Sequence, residues 1–327
     1  MKNKARIAYF GSDPICLPAL RFLIGEGAET CDLACIISQP DRRSGRGKHL
    51  QQNPVSAFAH REGIPLLQPE RLDAAFAARL GAEELTLAFV MAYGHFLPKS
   101  VRQAPVRGML NFHGSILPAY RGASPVETAV AMGETETGVC LMKIVREMDA
   151  GPVAGCERVS IEKTDTGPVV RGKIGEAVVP LLRRNLAAAI SGELPFHEQA
   201  HAGATFCRKI RKEDGALDFE QEIAVIDARL RAFFPWPGAY FDHGPVRIKV
   251  GAAEGVSGET GVAPGTVLAA VGTLNIAVAG GVLAVRELQR PGGRMLPASE
   301  FLKGYAIQPG TVLPSVSNEQ LLVSRPV

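Results

Sequence analysis

Short apolar runs and helical apolar stripes alternate through the first half of the chain. Ile7-Ala8-Tyr9-Phe10-Gly11 reads as a buried strand, and residues 14–26 then carry apolar side chains at Ile15, Leu17, Leu20, Leu23 and Ile24, a helical spacing. Leu33-Ala34-Cys35-Ile36-Ile37 is the next strand, and after a loop rich in Gly and Arg, residues 54–62 read as a helix. Residues 85–92 and 108–112 are further buried strands. This alternation predicts an α/β fold with a parallel, doubly wound sheet. Residues 139–145 and 153–159 pair as strands with Asp149 in the turn between them, ahead of a long helix over about 166–189.

The pattern changes after that helix. Residues 191–204 turn polar and irregular, as a linker would, and beyond them come one helix near 223–233 and several short β-rich runs separated by Gly and Pro. Short strands so spaced predict a small closed or partly closed barrel. The boundaries expected are a first domain over 1–190, a linker over 191–205, a second domain over 206–318 and a loose tail over 319–327.

Composition narrows the class. With 327 residues, 46% of them hydrophobic, the chain can build two ordinary cores. The net charge of +3 is too small for a general polyanion binder, so local basic clusters matter more than the total. The six cysteines form no CxxC pair and no zinc-type spacing, and are read as reduced, mostly buried thiols. The start, Met1-Lys2-Asn3-Lys4-Ala5-Arg6, lacks the apolar core of a signal peptide, and no stretch reaches the ~20 apolar residues of a membrane span. A cytosolic protein without a membrane partner is expected.

The candidate chemistry lies at the end of the strand over 108–112. Asn111 and His113 are two residues apart and therefore share one face of a strand. An Asn amide can donate to an oxygen gaining negative charge, His can donate or relay a proton, and Asp149 can orient the imidazole. Ser115 has no GxSxG elbow, so direct attack by an amine is favoured over an acyl-enzyme. On residue types alone, Asn111 capping a strand, His113 in a core and Asp149 in an ordinary turn explain the same pattern equally well. Ser115, Ile116, Leu117 and Pro118 offer one hydroxyl and a short apolar wall for a flat heterocycle, and Met91 and Tyr93 stand at the end of the neighbouring strand.

Two basic clusters stand out. Arg42, Arg43, Arg46 and Lys48 lie in a loop with Gly45 and Gly47 that has neither the P-loop nor the GxGxxG frame, and such a loop can follow phosphates. Arg208, Lys209, Arg211 and Lys212 open the second domain, where a plain solvated face is the simpler reading of the residues themselves. Phe233-Phe234-Pro235-Trp236-Pro237-Gly238 reads as a rigid packed corner with a structural Trp236.

Five segments carry a family resemblance. They are Gln39-Pro40-Asp41-Arg42 with Gly45-Arg46-Gly47-Lys48, Ala92-Tyr93-Gly94 with Leu97-Pro98, and Asn111-Phe112-His113-Gly114-Ser115-Ile116-Leu117-Pro118 with Tyr120-Arg121-Gly122-Ala123. Glu136-Thr137-Gly138-Val139 through Asp149-Ala150-Gly151, and Pro235-Trp236-Pro237-Gly238, complete them. In this order they resemble the bacterial methionyl-tRNA formyltransferases over nearly the whole chain.

The resemblance implies a Rossmann-like catalytic domain, a linker and a C-terminal OB-like barrel that binds tRNA. It implies 10-formyltetrahydrofolate as formyl donor, no metal, and initiator methionyl-tRNA as acceptor, with the protein working as a monomer. Asn111, His113 and Asp149 would be catalytic, Ser115 to Pro118 with Met91 and Tyr93 would line the folate site, and the two basic clusters would meet tRNA. Ile116 stands where Leu is the commoner family residue, and residues 49–54 also depart from the usual pattern. A formyltransferase for a small amine, such as an amino sugar nucleotide or glycinamide ribonucleotide, shares the Asn-x-His and Asp pattern and is the alternative. The basic loop combined with a second domain distinguishes the two.

Overall fold

The apolar runs of the first half become inner strands of one sheet in the computed structural model of the chain, which describes residues 4–44 and 49–325. In order come β1 (Ala5–Phe10), α1 (Leu17–Ile24), β2 (Cys31–Ile37), β3 (Arg42–Ser44), β4 (His49–Gln51), α2 (Pro54–Glu62), β5 (Leu66–Leu67), α3 (Ala74–Gly81), β6 (Leu87–Val90), α4 (Lys99–Arg102) and β7 (Met109–His113). Then follow β8 (Arg121–Gly122), α5 (Pro125–Ala131), β9 (Glu136–Lys143), β10 (Val153–Ser160) and α6 (Gly167–Ser191).

Seven of these strands make one sheet in the order β10-β9-β7-β6-β1-β2-β5. β1 pairs in parallel with β2 and β6, as do β2 with β5 and β6 with β7, whereas β9 and β10 run antiparallel. Ile7, Ala8, Tyr9 and Phe10 of β1 are fully buried, which is why that strand reads as an unbroken apolar run rather than an alternation. The chain steps outward from β1 to β5 and returns to β6 on the other side of β1. The crevice beyond the carboxyl ends of β1 and β6 is therefore the switch point at which such sheets bind ligands. β7 lies one strand further on, with Val90 opposite Asn111.

The basic loop is not simply a loop. Arg42, Arg43 and Ser44 pair antiparallel with Gln51, Leu50 and His49, so β3 and β4 form a hairpin whose tip, including Arg46 and Lys48, lies outside the described residues. Asp41 anchors its base: one carboxylate oxygen accepts from the Asn53 N–H, the Ser56 hydroxyl and the Gln68 amide. Asn53 in turn caps α2 through the N–H groups of Val55 and Ser56.

Two compact units divide the chain. One comprises Met1–Arg121, Glu136–Ser160 and Val170–Thr205, the other Gly122–Thr135, Ile161–Val169 and Phe206–Val327. This differs from a single cut at 191–205. The expected linker belongs to the first unit, where Leu194 and Gln199 are buried and His197 bridges to Val153. α5 belongs to the second unit and packs on α7 (Ile223–Ala232). Its buried Val126, Ala129 and Val130 supply the apolar face.

The second unit continues with β11 (Phe206–Cys207), β12 (Ala239–His243), β13 (Val246–Val250), β14 (Ala253–Ser257), β15 (Val267–Val271), β16 (Thr273–Val278), β17 (Gly281–Val285), β18 (Glu287–Gln289), β19 (Leu296–Pro297), α8 (Ala298–Gly304) and β20 (Leu322–Val323). Two four-stranded antiparallel sheets, β12-β13-β18-β19 and β14-β17-β16-β15, share a core that includes Phe219, Ile248, Leu274, Ile276 and Leu283. The β-rich second domain is thus present. Within the expected loose tail, residues 321–323 are ordered instead: β20 pairs with β11, and Leu321 is buried. Trp236 and Phe234 are about half exposed, and only Phe233 of that corner is buried, so Trp236 is not a packed structural residue.

The cysteines correct one further expectation. Cys140 and Cys156 are joined by a disulfide, because they stand directly opposite each other in the β9–β10 register. Cys16, Cys31, Cys35 and Cys207 are free and buried. Burial pushes the Cys16 thiol up to about 12, with the Asp13 charge adding to it, and Cys35 likewise to about 12, with Glu83 adding.

Candidate active site

β7 ends at the site. Asn111, half-buried, and His113, buried, point to the same side of the strand. Their antiparallel neighbours on β9 are Met142 and Cys140. Asp149 comes from residues 144–152 between β9 and β10, and its carboxylate Oδ2 stands 3.6 Å from His113 Nδ1. The structure thus brings all three sequence candidates to the carboxyl edge of the sheet. Asp149 has a left-handed backbone, φ 50°. Two residues on, Gly151 passes so close to the Lys143 carbonyl that a Cβ there would overlap it.

The other imidazole nitrogen is committed. His113 Nε2 lies 2.9 Å from the Tyr120 carbonyl oxygen, which can only accept, so Nε2 carries a proton. Nδ1 is then the nitrogen left for chemistry. In the neutral ring it is a bare acceptor facing an anionic carboxylate, a pairing that becomes favourable when a proton or a water sits between them.

The segment after His113 is held from within. The Ser115 hydroxyl is buried and donates to the Ala119 carbonyl at 2.6 Å, so it shapes the loop rather than facing a ligand. The Leu117 N–H points at Cys140 Sγ, and Leu117, Cys140 and Met142 form a small apolar cluster with Ile116. Leu117 and Pro118 also wall an open cavity of about 200 Å³, together with Val153, Gly155 and Gln199. That is below the ~300–1,000 Å³ of a site enclosing a whole drug-sized ligand, and large enough for one end of it. Met91 and Tyr93 are buried, and Tyr93 packs edge-on against Phe10 in the core. Ligand contact at 91–94 would therefore come from the backbone. Gln39 reaches this edge too, its amide donating to the Tyr93 carbonyl.

The basic residues separate into two kinds. Arg42, Arg43, Lys209, Arg211 and Lys212 are exposed. Arg208 is not: it is buried in a bidentate pair with Asp214 at 2.6 and 2.8 Å and also donates to the carbonyls of Gln320 and Glu319. Arg208 builds the second unit and has no free face for a phosphate. Arg211 pairs with Glu319 at the surface.

Three groups bonded to His113 or to the Asp149 turn had not been singled out: the Tyr120 carbonyl at His113 Nε2, Gln199, whose amide donates to the Asp149 and Gly151 carbonyls, and Arg121, which donates to Gln199. Tyr120 and Arg121 lie inside a motif segment, which was their only signal. Gln199 sits in an irregular polar stretch with none. Among the described residues, no three His, Cys, Asp or Glu side chains are grouped to hold a metal ion.

With this geometry in view, likeness to known proteins is informative. A formyl transferase family model matches residues 5–183, and a formyl transferase C-terminal domain model matches residues 209–306. The chain belongs to the formyl transferase family.

Relatives within the family span almost the whole chain. The methionyl-tRNA formyltransferase of Myxococcus xanthus is 36% identical over 311 residues, covering 94% of this chain and 98% of the relative. That of Ralstonia nicotianae is 38% identical over 326 residues, covering 95% and 98%. Among solved structures, WlaRD, a sugar 3N-formyl transferase, superimposes with a TM-score of 0.64 at 15% identity, covering 89% of this chain and 100% of that one. HypX from Aquifex aeolicus in complex with tetrahydrofolic acid gives 0.63 at 17%, and this chain spans about half of HypX, 47%. At such identities the structural likeness speaks for the fold alone.

Proposed function

We propose that this chain transfers the formyl group of 10-formyltetrahydrofolate to the α-amino group of methionine on initiator tRNA, the modification that prepares the charged tRNA for translation initiation. The observation that carries this reading is the match, over nearly the full length of both chains, to relatives named for that activity. The site chemistry supports it. The apolar wall of Leu117 and Pro118 beside an open cavity suits a flat heterocycle, and bound there the folate would supply the formyl group.

The residues then do the following. The Asn111 amide donates to the formyl oxygen as it gains charge during attack by the amine. His113, its Nε2–H fixed on the Tyr120 carbonyl, would use Nδ1 to take the proton the amine loses as its new bond to the formyl carbon forms, and to return one to the folate nitrogen as the bond from that nitrogen to the formyl carbon breaks, releasing tetrahydrofolate. Asp149 holds negative charge beside Nδ1 whenever that nitrogen is protonated. An α-amino group titrates near pH ~8 against ~10 for a lysine side chain, so a neutral nucleophile is available without further tuning.

Arg42 and Arg43 on the hairpin, with Lys209, Arg211 and Lys212 in the second unit, are proposed to meet tRNA phosphates. Arg46 and Lys48, outside the described residues, would extend the first set. A charged tRNA as substrate supports a cytosolic location. A small-amine acceptor finds no use for two exposed basic clusters. The test is Asn111→Ala in folded protein: turnover should fall on the order of 10²-fold or more, and formyl transfer at the normal rate would overturn the assignment.

A further inference from the structure

The Asp149 turn is held by a side chain fifty residues away. Gln199, buried in the first unit, donates both hydrogens of its amide nitrogen to backbone carbonyls of the turn, to Asp149 at 2.8 Å and to Gly151 at 2.7 Å. Its amide oxygen accepts from two nitrogens of one guanidinium, Arg121 Nε at 3.1 Å and Nη2 at 2.6 Å. The orientation of the amide is fixed by its partners, since a guanidinium only donates and a carbonyl only accepts.

Arg121 is itself 3% exposed. Burial lowers its pKa from the usual guanidinium range, and the charges of Asp149 and Glu147 oppose that shift. The guanidinium thus stands in the field of the carboxylate whose turn it braces. Glutamate at 199 would set a carboxylate oxygen against two carbonyl oxygens, and an aliphatic residue would take from the Asp149 and Gly151 carbonyls and the Arg121 guanidinium the partner they have here. The turn also needs support, since Asp149 occupies a left-handed conformation that an L side chain adopts at a cost.

We propose that Gln199, braced by Arg121, is a positioning residue that sets the place of the Asp149 carboxylate against His113 Nδ1. This rests on the reading of Asn111, His113 and Asp149 as the catalytic trio. Gln199 acts through Asp149, so its loss should slow the chemical step and leave substrate affinity largely intact.

A double-mutant cycle on the full chain tests it. Gln199→Met should lower kcat by about tenfold with the KM values for folate and tRNA within about twofold, and in an Asp149→Asn background the same change should cost less than about twofold. Gln199→Glu preserves volume and the Arg121 acceptor but loses both donors to the turn. It should show the same loss, and it carries the test if Gln199→Met does not fold. An equal fold loss in both backgrounds, or an unchanged kcat, overturns the inference. Asp149→Asn with normal activity would overturn the trio itself, a result distinct from Gln199 failing alone.

Discussion

At the residue scale, identity and availability part company. That Asn111, His113 and Asp149 come to one edge of the sheet was legible from strand spacing and from the turn between two expected strands, whereas their catalytic role rested on the family resemblance. Which imidazole nitrogen is left unengaged by the backbone was not legible, since it depends on the Tyr120 carbonyl oxygen. Arg208 shows the converse: a cation inside a basic cluster, yet spent on Asp214. Removing it by Arg208→Met leaves a buried carboxylate uncompensated and should cost about 3–5 kcal/mol of stability in chemical unfolding. Lys209→Ala and Lys212→Ala should stay within about 0.5 kcal/mol.

Asp214 also gives a pH dependence with a definite sign. Burial alone would raise its pKa, but hydrogen bonds from the Arg208 side chain and the Arg211 backbone, with the Arg208 and Arg229 charges, hold it below the usual carboxylate range. A depressed folded-state pKa stabilises fully above the ordinary value of ~4 and is lost as pH falls below it. The unfolding midpoint should therefore drop as pH falls below the ordinary carboxylate value, and Asp214→Asn should flatten that part of the curve, as followed by thermal unfolding against pH.

At the scale of elements, the parallel strands announced themselves because a strand buried on both faces leaves no room for polar residues. The β3–β4 hairpin did not, since Gly and Arg mark a loop and its anchor is the hydrogen bonding around Asp41. The Cys140–Cys156 disulfide was equally hidden, because sequence separation says nothing about cross-strand register. On the hairpin, Arg42→Ala with Arg43→Ala should raise the KM for charged tRNA, leave that for folate unchanged, and reduce the slope of log affinity against log salt by about 1 to 2. A KM for charged tRNA, and a salt slope, unchanged by the two substitutions would remove the hairpin from the tRNA interface.

At the scale of the whole molecule, two units were expected and two are found, but the chain is shared between them differently. α5 joins the second unit, and residues 191–205 join the first. Patterning locates elements without saying which core each one completes. That is also why Gln199, read as part of a linker, was missed in the catalytic unit. The proposed tRNA contacts also belong to this scale, since exposed cations occur on each unit, Arg42 and Arg43 on the first and Lys209, Arg211 and Lys212 on the second.

The most direct measurement offers the purified protein 10-formyltetrahydrofolate with charged initiator methionyl-tRNA, and in parallel with uncharged small amines such as amino sugar nucleotides. Formyl transfer to the charged tRNA alone is the expected result. Transfer to the small amines, with none to the charged tRNA, would contradict the account.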